Sequence, residues 1–133
     1  MKRLLGIGLL TAIFIFSSLV CIENSSAIGD SMSGLASWYC RRDRGIRKTT
    51  ANMERFDDTK LTCAMWGVPF NTILQVTNLD NGKSVTVRVN DRGPAKRLVR
   101  RGRIIDLTKE AFSKISHPKK GLISVSVTVL SQS

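Results

Sequence analysis

Apolar and polar residues alternate with period two in several short runs along this chain. Val85, Val87 and Val89 form one such run, and Ile123, Val125, Val127 and Val129 form another, separated by Ser124, Ser126 and Thr128. That period marks strands with one buried face. Gly34–Cys40 and Thr72–Leu79 read as further strands, with shorter apolar pieces at Leu61–Met65 and Ile104–Asp106. Asn81-Gly82 predicts a two-residue type I′ hairpin joining the strand that ends at Leu79 to the one at Ser84–Val89, because both positions accept positive φ. Thr108 is placed to cap a helix whose apolar side is Ala111, Phe112 and Ile115. Residues 28–33 read as a frayed terminus, and the basic stretches 41–48 and 95–103 as loops. The chain is therefore expected to be mainly β, with about six strands and one short helix. A closed barrel would remove the edges of such short strands.

The start of the chain follows a different pattern. Lys2 and Arg3 precede an almost wholly apolar run from Leu4 to Val20, and Ser25-Ser26-Ala27 supplies small residues suited to a cleavage site. Residues 1–27 read as a secretory signal peptide, leaving 28–133 as a single domain that is secreted or periplasmic, without a stable membrane anchor. An uncleaved anchor is the rival reading. A lipid-modified Cys21 is a weaker one, since Val20 stands where such signals carry a small residue.

Charge narrows the partners. The sequence has 21 basic and 10 acidic residues, and removing Lys2, Arg3 and Glu23 leaves a net +10. Such a balance points to an anionic partner or to a solubilising surface. Export and sparse aromatics argue against nucleic acid, and an anionic wall polymer suits the compartment better. Cys40 and Cys63 are the thiols left after cleavage, and in an oxidising compartment they are expected to pair as a disulfide. They are too few for a metal site, and the single histidine, His117, lies in a distant polar stretch; no metal or cofactor is expected.

Candidate chemistry sits at Asn90-Asp91-Arg92-Gly93-Pro94, where the Val85–Val89 run stops abruptly. Asp91 is a carboxylate held at a strand end between an amide and a guanidinium. It either closes a turn or belongs to a site presented on a rigid scaffold. Glu54 is a second isolated carboxylate, within Thr50-Ala51-Asn52-Met53-Glu54-Arg55-Phe56.

These segments, with Gly34-Leu-Ala-Ser-Trp-Tyr39, Leu61-Thr62, Val68-Pro69-Phe70, Val76-Thr77-Asn78-Leu79, Val87-Arg88-Val89 and Gly102-Arg103-Ile104-Ile105-Asp106-Leu107, resemble the rare lipoprotein A (RlpA)-like family in order and spacing over about residues 34–130. The resemblance implies a six-stranded double-psi β-barrel, shared with expansins, that acts as a monomer on peptidoglycan glycan strands. Family members are lytic transglycosylases that prefer strands without stem peptides and leave 1,6-anhydro ends. It makes Asp91 the acid/base and Glu54 the second carboxylate. Asn90, Arg92, Tyr39, Thr50 and Asn52 are implied to bind substrate. Asp106 matches a family position that either lines the groove or holds the barrel crossover. A carboxyl acting as acid needs its pKa raised by burial.

The chain departs from the pattern at Met65, where the family usually has a functional histidine; a thioether transfers no protons. It also has Cys40 where the first strand often ends in Gly. The glycan-binding repeat that many members carry beyond the barrel has no counterpart in residues 28–133. Two functions therefore stand: a lytic transglycosylase, or a non-catalytic, expansin-like glycan-binding or wall-loosening module.

Overall fold

The computed structural model describes residues 26–132, so the expected signal peptide lies almost wholly outside the described residues. Among the described residues no helix is long and apolar enough to cross a membrane. Six strands form: β1 (Ser31–Tyr39), β2 (Thr62–Ala64), β3 (Ile73–Asn78), β4 (Ser84–Asp91), β5 (Arg103–Thr108) and β6 (Ile123–Ser131). They close into a barrel in the order β1-β5-β2-β4-β3-β6. The β1–β5 and β2–β4 pairs are parallel and the rest antiparallel. Closure gives every strand two neighbours, which removes the exposed edges that strands this short would otherwise present.

The period-two residues fill the interior. Leu74, Val76, Val87, Val89, Ile105, Leu107, Val125 and Val127 are at most 1% exposed. Helix α2 (Lys109–Ile115) packs Ala111, Phe112 and Ile115 into the same core, and Thr108 Oγ1 caps it by accepting from Ala111 N at 3.3 Å. Gly34 lets β1 and β5 approach closely: a Cβ there would lie 2.7 Å from the Ile104 side chain and 2.9 Å from Gly102 O.

Three local expectations change. Strand β1 starts at Ser31 rather than Gly34, because residues 31–33 pair with 126–128 of β6; pairing overrides their small, polar composition. The β3–β4 connection is not a two-residue turn. Strand pairing stops at Asn78 and resumes at Ser84, and of Asn81 and Gly82 only Gly82 has positive φ. Asn78 reorganises the loop: its buried side chain accepts from Asp80 N and donates to Ile115 O, and Asn81 Nδ2 also donates to Ile115 O. The basic 95–103 segment holds a one-turn helix, α1 (Lys96–Val99).

The expected disulfide is not formed; both cysteines are free thiols. β5 lies between β1 and β2, with Leu107 paired to Trp38 on one side and to Cys63 on the other. Two strand spacings, about 9–10 Å, thus separate Cys63 from β1, and Cys40 follows the end of β1 at Tyr39; a disulfide spans roughly 4.4–6.8 Å between Cα atoms. Cys40 Sγ instead donates to Asp43 Oδ1 at 3.4 Å, while Cys63 is inaccessible in the core, where burial pushes its thiol up. Thiol titration of residues 28–133, unfolded without reductant, is therefore expected to count both cysteines, with Cys63 unreactive until urea opens the barrel; the absence of titratable thiol would contradict this arrangement.

Candidate active site

Strand β2 is three residues long, entirely buried, and flanked by β4 and β5. Its pairing brings two carboxyl groups to one level of the barrel. Ala64 pairs with Asp91 on one side and with Asp106 on the other, and Asp106 pairs with Ser37 on β1. Residues Trp38, Leu107, Cys63 and Val89 form the neighbouring row, and the last three are core residues. Pleating sends the Ser37–Asp106–Ala64 row to the other face. On β4 simple alternation would keep Asp91 with Val89. A register shift between Cys63 and Ala64 inserts one extra residue there, Asn90, and so re-aims Asp91.

The carboxyls have different surroundings. Asp91 Oδ1 accepts from Ala51 N and Arg92 N, both at 2.9 Å, so a proton carried by Asp91 must sit on Oδ2. Asp91 and Arg92 line an open depression of about 330 Å³ with Arg47, Thr50 and Ala51. Asp106 is more deeply set. Burial pushes its carboxyl above the ordinary aspartate range, and the Asp91 charge pushes the same way, against the Ser37 hydroxyl, which donates to Asp106 Oδ1, and Arg103. Gly93 lies against this pair: a Cβ there would be 3.2 Å from Ala64 Cβ and 3.4 Å from Asp106 Oδ2.

Tyr39 stacks on Phe56 with ring centroids 4.9 Å apart. Its hydroxyl is buried without a hydrogen-bond partner among the described residues. Burial first, then the charges of Asp91, Cys63 and Asp106, keep the phenol protonated. A neutral donor thus sits close to both carboxyls.

Glu54 stands apart from that pair. Arg88 grips it through Nη1–Oε1 at 2.6 Å and Nη2–Oε2 at 2.9 Å, and Asn52 and Asn90 donate to it at 2.8 and 3.2 Å. These bonds, Arg88 foremost, lower its pKa to about 2. It lines a separate depression with Arg55, Phe56, Lys60 and Arg88. Thr50 Oγ1 donates to Asn52 Oδ1 at 2.6 Å, and Asn52 N donates to Asn90 O at 3.3 Å. Thr50, Asn52 and Asn90 are thus brought together, but their donors are spent on holding the 50–54 turn against β4. Asn90 Oδ1 remains buried without a partner among the described residues.

A family model described as "Lytic transglycolase" matches residues 31–127. The chain belongs to that lytic transglycolase family. It is 45% identical over 104 residues to the endolytic peptidoglycan transglycosylase RlpA of Campylobacter jejuni, covering 78% of this chain and 36% of that protein. The chain thus spans about a third of that curated relative's length. Among solved structures, the Streptomyces papain inhibitor superposes with a TM-score of 0.61 at 21% identity, over 78% of this chain and 97% of that one. An expansin from Clavibacter michiganensis superposes with a TM-score of 0.58 at 19% identity, over 78% and 52%. These two likenesses establish the double-psi barrel fold alone.

Met65, where the resemblance leads one to expect a histidine, is 2% exposed and packs into the core. Its backbone still braces the Asp91 turn: Met65 N donates to Asp91 O, and Met65 O accepts from Arg92 Nη1. That bond and the Phe70 ring, 3.9 Å below the guanidinium, fix Arg92. Sequence reasoning passed over Ser37, Arg88 and Trp66. Arg88 carried a signal, being the one charge amid the period-two run of β4. Among the described residues no cluster of three or more His, Cys, Asp or Glu could hold a metal ion.

The Glu54–Arg88 pair has a testable pH signature. Because Glu54's folded pKa is depressed, its contribution to stability is present in full above the unfolded value of about 4.5 and is lost as pH falls through about 2. Glu54→Gln is expected to lower the urea midpoint near neutrality, with the difference from wild type shrinking below the unfolded value and vanishing near the folded one. A difference that stays constant down to that pH would contradict the pairing.

Proposed function

We propose that this chain is an exported lytic transglycosylase domain that cleaves peptidoglycan glycan strands in the cell envelope, with Asp106 and Asp91 as its working carboxyls. The observation that carries the reading is their placement on either side of Ala64, one driven toward its protonated form by burial. Family membership and the C. jejuni relative supply the substrate class.

Cleavage needs a proton for the leaving oxygen and stabilisation of an oxocarbenium-like centre. Asp106 is suited to hold the proton at rest. It protonates the glycosidic oxygen as the bond from C1 breaks, and positive charge grows at the sugar ring beside Asp91. The sugar's own 6-hydroxyl then closes on C1, and its proton returns to Asp106. The products are a 1,6-anhydro end and a free 4-hydroxyl, with no water consumed. Tyr39 keeps a protonated hydroxyl within electrostatic reach of both carboxyls, a donor free for the substrate. Glu54, held ionised by Arg88, is a poor acid near neutrality; it fixes the 50–54 turn whose Ala51 N–H holds Asp91.

The buried Met65 favours the second reading, a non-catalytic glycan-binding module, because a proton-transferring side chain is missing at that place. Digestion of purified sacculi, read by mass spectrometry for anhydro-muropeptides, separates the two. Asp106→Asn and Asp91→Asn are each expected to cut anhydro-end release by about 100-fold or more. Asp106 binds its proton more tightly folded than unfolded, so it loses stability as pH rises from the ordinary aspartate value. Asp106→Asn should therefore melt no lower than wild type near neutrality, whereas a residue that only ties the barrel together would melt lower. Sacculus binding without anhydro ends from the wild-type chain would leave the binding module; full activity in folded Asp106→Asn would remove Asp106 as the acid.

A further inference from the structure

Trp66 follows Met65 on the loop leaving β2, and its environment is unlike that of the core aromatics. It is 41% exposed, yet its Nε1 donates to Pro94 O at 2.7 Å, so the indole is anchored in the open. Pro94 belongs to the turn that begins at Asp91. Arg92, which lines the Asp91 depression, donates from Nη1 to Met65 O, the carbonyl just before Trp66. The Met65–Trp66 segment is therefore tied to the turn that carries Asp91 twice, once through the indole and once through the Met65 carbonyl. Lys96, on the first turn of α1, sets its ammonium 5.2 Å from the indole centroid. Nothing among the described residues neutralises that charge: the salt bridges found there are Arg88–Glu54 and Lys114–Glu110.

An anchored aromatic face beside a cation has a clear ligand chemistry. A pyranose ring offers a sheet of axial C–H groups to the indole face, where its apolar side is removed from water. The pre-fixed indole loses little rotamer freedom on binding. The Lys96 contact with the ring is weak at an exposed site, and its long stem lets the ammonium reach an anionic substituent on the same sugar.

We propose that Trp66 and Lys96 form a sugar subsite for a pyranose bearing a carboxylate, continuous with the Asp91 turn and outside the reacting centre. The proposal rests on the glycan-strand reading above. It makes Trp66 the stacking platform and Lys96 the group that favours acidic over neutral sugars.

The test is calorimetric binding to the full chain carrying Asp91→Asn, which blocks turnover. Two probes are used: a neutral chito-oligosaccharide, and a peptidoglycan oligosaccharide whose lactyl carboxylates are free. Trp66→Ala in that background is expected to weaken both by about tenfold or more, and Trp66→Tyr to recover much of the loss. Lys96→Gln is expected to weaken only the carboxylate-bearing probe. Unchanged binding by Trp66→Ala with an unaltered melting temperature would overturn the platform. Equal effects of Lys96→Gln on the two probes would overturn the choice of an acidic sugar. Trp66-dependent binding in this background, together with no release of anhydro ends from sacculi by the chain that keeps Asp91, would leave the subsite standing and remove the transglycosylase reading instead.

Discussion

The three-residue strand β2, threaded between β4 and β5, is the constraint on which the rest of this molecule depends. Thr62, Cys63 and Ala64 are all buried, and they pair parallel with β4 and antiparallel with β5. Without β2 the ends of β4 and β5 would be free edges. With it, Asp91 and Asp106 stand on either side of Ala64. The small side chain of Ala64 leaves room between them, and Gly93, without a Cβ, folds the following turn onto the same spot. The core strand and the carboxyl pair are therefore one construction. Cys63 faces the core and Ala64 the site, in successive residues.

The site shows two opposite solutions for a carboxylate. Glu54 meets a bidentate arginine and two amides, and it stays ionised to well below its ordinary value. Asp106 meets the Ser37 hydroxyl and is largely withdrawn from water, and burial pushes it the other way. Glu54 is thus held as an anion in its own depression, while Asp106, beside Asp91, is pushed toward its acid form. A carboxyl whose pKa rises on folding costs stability near neutrality, which fits a chemical role for Asp106 better than a structural one.

Much of the barrel was legible in the chain. The period-two runs of β4 and β6 identify core residues, and Thr108 with Ala111, Phe112 and Ile115 identifies α2. What local pattern missed is set by tertiary pairing. Residues 31–33 become strand because β6 supplies partners. The Asn81-Gly82 turn is overruled by Asn78 and its bond to Ile115 O. The Cys40–Cys63 pairing fails because β5 separates strands that are consecutive in sequence. The site was half legible. Asp91 and its loop stand out as a strand end rich in turn residues. The bulge at Asn90 and the passage of β5 beside β2, which together make Asp106 the neighbour of Asp91, have no signature in either segment alone. Glu54 was legible as the second carboxylate, but its ion pair was not, because its partner Arg88 lies far away along the chain.

The interaction between Asp106 and Asp91 across Ala64 can be measured without any substrate. Carbon-13 NMR of labelled aspartates follows each carboxyl carbon through its own titration. The Asp106 carboxyl is predicted to titrate above the ordinary aspartate range, and to move back toward it when Asp91 is replaced by asparagine, since the Asp91 charge is one cause of its elevation. An Asp106 that titrates at or below the ordinary value, and is indifferent to Asp91→Asn, would contradict the account.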